Sequence, residues 1–256
     1  MLAIERRKKI IDILNETKSV KVQDLSELFG VTEETIRRDL EKLEKEGLLQ
    51  RTYGGAILLD SLSEDLPFTV RAVSNPEGKR AIGKVIANYI EDNDTIMLDS
   101  SSTALEVAKN LKHKKNITVI TNSVIVLTEL AQNENCTVIS TGGMLRARSM
   151  SFVGPGAKQA IENYYVNKAI LSCKGIHMQN GIMESNEMET EIKKSMVKSA
   201  HTIFYAIDHT KFDQLSFVKM LDIESVDYIF TDKELSKDWE QFLLNKNVKW
   251  EYCNNE

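Results

Sequence analysis

Val31-Thr32-Glu33-Glu34-Thr35-Ile36-Arg37-Arg38-Asp39-Leu40, with Leu43 and Gly47 after it and then Arg51-Thr52-Tyr53-Gly54-Gly55-Ala56, is the stretch on which the fold turns. Thr32 is a good N-cap, and Glu33 and Glu34 sit where the positive end of a helix dipole favours acids. A helix is therefore expected from Glu33 to Glu46, stopped by Gly47. At about 100° per residue Ile36, Leu40 and Leu43 share one face, while Glu34, Arg38, Glu41 and Lys45 project from the other. Upstream, Ile10, Ile13 and Leu14 mark one helix, and Val22, Leu25, Leu28 and Phe29 mark a second that Gly30 ends. Downstream, residues 48–52 and 56–59 read as two short strands joined through the glycines of the Tyr53-Gly54-Gly55 turn. Three helices and a hairpin over residues 1–58 make a helix-turn-helix with a β wing.

Such a unit carries its chemistry at the amino-terminal end of its last long helix, which enters the major groove of DNA. Arg can pair bidentately with guanine and Glu can accept from cytosine, so Glu34, Thr35, Arg37 and Arg38, with Thr32 at the helix start, are the candidate base-reading residues. Arg6, Arg7, Lys8 and Lys9 in the first helix, and Arg51 and Tyr53 in the wing, are candidate phosphate contacts that set register without reading sequence. Basic pairs also solvate helix faces; it is the three-helix-plus-wing context that favours the DNA reading. The chain as a whole carries −5, and residues 1–56 hold eleven Lys or Arg against eleven Asp or Glu, so any nucleic-acid surface is a local patch.

At 256 residues, 42% of them hydrophobic, the chain is long enough for two domains of unequal size, each with a core. Residues 59–78 contain two of the three prolines and no sustained period, and read as a linker. Residues 79–256 alternate helical stretches with short apolar runs at 95–98, 117–120, 137–139, 169–171, 202–207 and 228–230, the signature of an α/β domain with a mostly parallel sheet. Polar loops follow these runs where open α/β sheets bind ligands: Asp99-Ser100-Ser101-Ser102-Thr103, Thr121-Asn122-Ser123, Thr141-Gly142-Gly143, Cys173-Lys174-Gly175 and Asp208-His209-Thr210-Lys211. Lys79 adds an anion partner at the start of the domain. Each loop alone is explained by capping and turns; together they outline a site. The Glu184, Glu187, Glu189, Glu191 cluster reads as a solvated helix start.

Several chemistries are excluded. Gly78 to Gly83-Lys84 has a phosphate-loop spacing but no preceding strand, and Val85 stands where Ser or Thr is required. Gly154-Pro155-Gly156 lacks the third glycine of a dinucleotide fingerprint, and His113, His177, His201 and His209 show no metal-ligand spacing, so neither cofactor nor metal is expected. No apolar run spans a bilayer, no signal peptide is evident, and three scattered cysteines suit a reducing compartment, so a cytoplasmic protein is expected.

The residues quoted at the outset, together with Glu5-Arg6-Arg7 through Ile13-Leu14 and Gly47-Leu48-Leu49, give the chain its resemblance to DeoR-family transcriptional regulators, which extends to about Asp232. The resemblance implies a repressor of sugar-metabolism genes whose second domain, related to sugar-phosphate isomerases, has become a sensor that a phosphorylated sugar occupies. It further implies Lys79, Asp99, Ser102, Thr103, Asn122, Gly142, Gly143, Asp208 and Lys211 as effector contacts, beside Ser100 and Lys174 from the loops themselves. Ser101 departs from the family pattern Asp-Ser-Gly-Thr-Thr, which has glycine there. Operator DNA, the phosphosugar and further copies of the chain, as dimer or tetramer, are the expected partners. The alternative is a phosphosugar isomerase with a regulatory winged domain, for which Asp99, Asp208 and Glu184 are the candidate bases.

Overall fold

A computed structural model describes residues 2–17, 19–45, 48–57 and 65–254. The chain divides into two compact units, Met1–Ser74 and Asn75–Glu256.

The first unit runs α1 (Ala3–Thr17), β1 (Ser19–Lys21), α2 (Val22–Phe29), α3 (Glu33–Lys45), β2 (Gln50–Thr52), β3 (Gly55–Ile57) and α4 (Phe68–Val73). Gly30 ends α2 at φ 63°, a left-handed position that glycine takes without a Cβ penalty. Ile10, Leu14, Leu25, Ile36, Leu40, Leu43, Leu49 and Ala56 form the core, so the helical stripes face inward as their spacing requires, while Leu28 turns out to solvent. The wing strands β2 and β3 pair antiparallel, and β1 adds a third strand on the far side of β3. Val20 crosses so near Gly55 that a Cβ there would lie 1.9 Å from the Val20 carbonyl oxygen, which leaves glycine as the residue that fits.

The expected linker is corrected in part. Residues 68–73 are helical, and Val70 and Leu66 pack into the core of this unit, so the division between units falls after Ser74 rather than across 59–78. The helix is only six residues long and lies between Pro67 and Pro76, so its short apolar pattern does not stand out from the breakers around it. Glu46, Gly47, Leu58, Leu59 and the first part of the expected linker, 59–64, lie outside the described residues.

The second unit begins with α5 (Pro76–Asn88) and continues through β4 (Thr95–Leu98), α6 (Ser102–Lys109), β5 (Ile117–Thr121), α7 (Val124–Leu130) and β6 (Cys136–Ser140). A hairpin of β7 (Met144–Arg146) and β8 (Ser151–Val153) leads to α8 (Pro155–Glu162), β9 (Val166–Leu171), β10 (Gly175–His177) and β11 (Gly181–Glu184). Then come α9 (Glu187–Lys198), β12 (Ala200–Ala206), β13 (Val218–Leu221), β14 (Tyr228–Thr231), α10 (Lys237–Asn245) and β15 (Lys249–Tyr252). Seven strands form one sheet in the order β15-β14-β12-β9-β4-β5-β6, every pair parallel, while β10, β11 and β13 form a separate antiparallel sheet.

All six apolar runs of the sequence lie in the parallel sheet, whose interior strands are buried on both faces as parallel strands are. From β4 the chain steps to β5 and β6 on one side; from β9 it steps to β12, β14 and β15 on the other. The strand order therefore reverses between β4 and β9, and the crevice beyond their carboxyl ends is where such a sheet binds ligands.

Candidate nucleic-acid interface and effector crevice

In the first unit α3 buries Ile36, Asp39, Leu40 and Leu43 and turns Glu33, Glu34, Arg37 and Arg38 to solvent. Thr32 caps it: its hydroxyl accepts from the Thr35 amide at 3.3 Å and shares a 2.9 Å hydrogen bond with the Thr35 hydroxyl. Arg37 pairs with Glu33 at 2.5 Å and Arg38 with Glu34 at 3.3 Å, each one helical turn apart and exposed. Exposed i,i+4 pairs are worth only about 0.3–0.5 kcal/mol, so both guanidinium groups can leave these partners at little cost. Arg51 and Tyr53 are exposed in the wing, Tyr53 fully so at its tip.

Arg6 departs from expectation. It is 6% exposed, and its Nε lies 2.5 Å from Asp39 Oδ2, so it faces the interior of the unit and not a phosphate. Arg7, one residue on and half-buried, approaches the other Asp39 oxygen at 3.6 Å. Lys8 and Lys9 remain exposed.

In the second unit the loops after the parallel strands gather the sequence's candidate residues. Asp99 is fully buried after β4; one oxygen accepts from the Ser101 amide, the other from the Ser172 amide, both at 2.9 Å, and Lys193 stands 3.2 Å away. Its carboxylate thus ties the loops after β4 and β9 together. Ser100 donates to Glu189 at 3.1 Å and is likewise held from within. Ser101, where the family pattern has glycine, takes an ordinary φ of −76° and caps α6 by accepting from the Ala104 amide, so nothing in the backbone demands glycine. Ser102 and Thr103 form the first turn of α6, both buried.

After β5, Asn122 donates from Nδ2 to the Phe152 carbonyl at 3.1 Å, and its buried Oδ1 has no partner among the described residues. Gly142 and Gly143 follow β6 at φ 57° and 107°; a Cβ on Gly143 would come within 2.9 Å of Ala157 and of the Val153 carbonyl oxygen. Lys174 follows β9, half-buried. After β12, Asp208 is 1% exposed. Burial opposes its charge, but Lys211 and Lys79 and the Thr210 hydrogen bonds outweigh burial and hold the carboxyl below the usual aspartate range. Lys79 itself is buried on the first turn of α5. At the end of β14 the buried Thr231 hydroxyl is also without a partner among the described residues.

The burial of three charged groups of this region escapes sequence reasoning. Glu184 and Glu189, read there as part of a solvated cluster, are 7% and 6% exposed; only Glu187 and Glu191 face solvent. Lys193 is buried between Glu184 and Asp99 and donates to the Ser172 carbonyl at 2.7 Å. Burial opposes its charge, yet Glu184 and Asp99 prevail and raise its pKa above the ordinary lysine value. Glu189 accepts from Ser151 at 2.5 Å and faces Arg146 at 3.9 Å, so it stitches α9 to the β7–β8 hairpin and the β4 loop. Among the described residues no group of His, Cys, Asp and Glu has the arrangement of a metal site, and no helix is long and apolar enough to cross a membrane.

An exposed Arg pair on a capped helix with a wing beside it, and a polar crevice at the switch point of a parallel sheet, find their counterparts in known proteins. Residues 6–62 match a DeoR-like helix-turn-helix domain, and residues 74–233 match the DeoR C terminal sensor domain. The chain is 42% identical to an uncharacterized HTH-type transcriptional regulator, YulB, of Bacillus subtilis, over 97% of this chain and 96% of that one. It is 34% identical to a putative aga operon transcriptional repressor of Escherichia coli O157:H7, over 91% and 88%. A ribose 5-phosphate isomerase from Methanocaldococcus jannaschii resembles it weakly, with 16% identity and a TM-score of 0.40 over 54% and 55% of the two chains. With both halves matched in order and relatives aligned over nearly their whole length, the chain belongs to the DeoR family of helix-turn-helix transcriptional regulators.

Proposed function

We propose that the chain is a sequence-specific repressor whose first unit grips operator DNA through Glu34, Thr35, Arg37 and Arg38, and whose second unit binds a phosphorylated sugar that weakens this grip. The observation that carries the effector half is the acceptor of Asn122, buried after β5 without a partner among the described residues, at the same carboxyl edge of the sheet where Lys79 and Lys211 flank Asp208 after β12. A buried polar atom left unpaired costs about 1–3 kcal/mol, which a ligand hydroxyl relieves, while the two lysines suit a phosphate. Asp208 and Asn122 end strands three apart, about 14 Å at about 4.8 Å per strand, a span that lysine side chains, a phosphate and a sugar ring fill together. Release follows by linkage: a sugar phosphate that prefers the form unable to bind DNA lowers operator affinity by the factor by which DNA lowers its own. Half-sites one helical turn apart require paired recognition helices, hence at least two copies of the chain.

The isomerase alternative lacks a base. Asp99 and Glu184 are ion-paired with buried Lys193, and Lys211 and Lys79 lower the pKa of Asp208 against its burial, so each candidate carboxylate is already engaged by lysine. The test is recovery and sequencing of sheared genomic fragments bound by purified protein, with Arg37→Ala, Arg38→Ala as control, followed by titration of sugar phosphates on the enriched fragments. Enrichment lost in the variant and reversed by one phosphosugar is the expected result. Recovery insensitive to the variant, or ketose-phosphate turnover lost in Asp99→Asn, would overturn the reading.

A further inference from the structure

Asp39 lies on the inward face of the helix that reads DNA, in a core otherwise built of Ile10, Leu14, Ile36, Leu40 and Leu43. A carboxylate there is costly, because ions leave water reluctantly and an apolar residue of similar size serves a core at least as well. Its partners are adjacent residues of α1: Arg6 Nε at 2.5 Å on Oδ2 and Arg7 at 3.6 Å on Oδ1, with the Arg6 and Asp39 side chains 8% and 6% exposed. Adjacent helical residues diverge by about 100°, so one carboxylate gripped by both sits over the ridge between them. Apolar contacts alone permit α3 to roll or slide on α1; a two-oxygen grip from two residues permits neither. Arg37 and Arg38, next to Asp39 in sequence, inherit that orientation.

We propose that Arg6 and Asp39 form an orienting clamp for the recognition helix, so that Arg6 serves sequence discrimination through α3 without touching DNA, while Arg7 completes the clamp and presents its surplus positive charge to a backbone phosphate. Two arginines against one carboxylate leave one positive charge, and it emerges at Arg7, whose side chain is 19% exposed. The inference rests on the chain reading DNA sequence, which the wild-type protein on the same duplexes checks separately.

The test compares wild type, the double variant Arg6→Met, Asp39→Leu, and Arg7→Ala on an enriched genomic fragment and on a random-sequence duplex, across a salt series. The double variant replaces the clamp by apolar bulk; it is expected to keep its helical circular dichroism and thermal midpoint, to lose ten-fold or more on the enriched fragment, and to bind random duplex with unchanged salt slope. Arg7→Ala is expected to lower the slope by about 0.9, the value of one phosphate contact. Full discrimination by the double variant overturns the clamp. So does equal weakening on both duplexes with a slope lowered by about 0.9, which would make Arg6 a phosphate contact. An unfolded double variant overturns it as well, because the pair would then be a requirement of folding and not of orientation.

Discussion

Gly78→Ala in the first turn of α5 sets helix propensity against local packing, and the structure decides the sign. On propensity alone alanine stabilises a helix by up to about 1 kcal/mol over glycine. A Cβ at this position, however, would lie 2.1 Å from Asp232 Oδ2 and 2.5 Å from Asn75 Nδ2, so these side chains must move. Asp232 Oδ2 accepts from Asn75 Nδ2 at 2.8 Å and from His209 Nδ1 at 2.8 Å, whereas Oδ1 keeps its bond from the His209 amide. Hydrogen bonds to a charged group contribute about 1.5–3 kcal/mol each, so losing both on Oδ2 costs about 3–6 kcal/mol. Net destabilisation is then about 2–5 kcal/mol after the propensity gain. For a unit of this size each kcal/mol lowers the melting temperature by about 2–4 °C. Both tryptophans, Trp239 and Trp250, lie in the second unit, so their fluorescence in a urea or thermal titration follows that unit alone. In an Asp232→Ala background the clash with the carboxylate is gone and only the Asn75 Nδ2 contact remains, so Gly78→Ala should cost less than in the wild type, a coupling that a double-mutant cycle isolates. A Gly78→Ala protein as stable as wild type would refute the reasoning.

Lys193→Met leaves Asp99 and Glu184 buried without their shared cation and should cost about 3–5 kcal/mol in the same fluorescence assay, against under 1 kcal/mol for an exposed lysine. Asp208 has a lowered folded-state pKa, so its stabilisation is full above the unfolded value of about 3.9 and fades as pH falls through the folded value; the gap between wild type and Asp208→Asn should close below about pH 4, and a constant gap would contradict this. Burial raises all three thiol pKa values, that of Cys253 to about 12, but Cys136 alone is half-buried and open to a reagent, so at pH 8 a thiol reagent should label Cys136 first in the native protein and all three cysteines in urea. Asn122→Leu removes the unpaired acceptor with one hydrogen bond, so stability should change by under about 1 kcal/mol while effector-driven release from the operator weakens ten-fold or more.

What was legible in the chain and what was not follows from the range of the interactions. The recognition helix announces itself because its signals are local: a Thr32 cap, acids in the first turn and a stripe at Ile36, Leu40 and Leu43. Six of the seven parallel strands do so as short apolar runs, unbroken where the strand is buried on both faces. Strands β1, β7, β10 and β13 are three or four residues long, too short to repeat an alternation clearly, and they are held by pairing with other strands. The crevice was legible as a set of loops following strands, but not which of its groups face one another, since Asp99 meets Lys193 across 94 positions. Yet the buried charges do leave a local trace. Arg6 precedes Ile10 and Leu14 at i+4 and i+8 on α1; Asp39 falls at i+3 from Ile36; Glu189 and Lys193 share a face with Ile192 and Met196. Each is a charge inside an apolar helical stripe. Solvating such a residue would turn the stripe away from the core it fills, so the helix keeps its face and the charge must find an opposite partner within. A charged residue in phase with an apolar stripe therefore marks an internal ion pair, and it is this phase that separates Arg6 from Lys8 and Lys9, and Glu189 from Glu187 and Glu191.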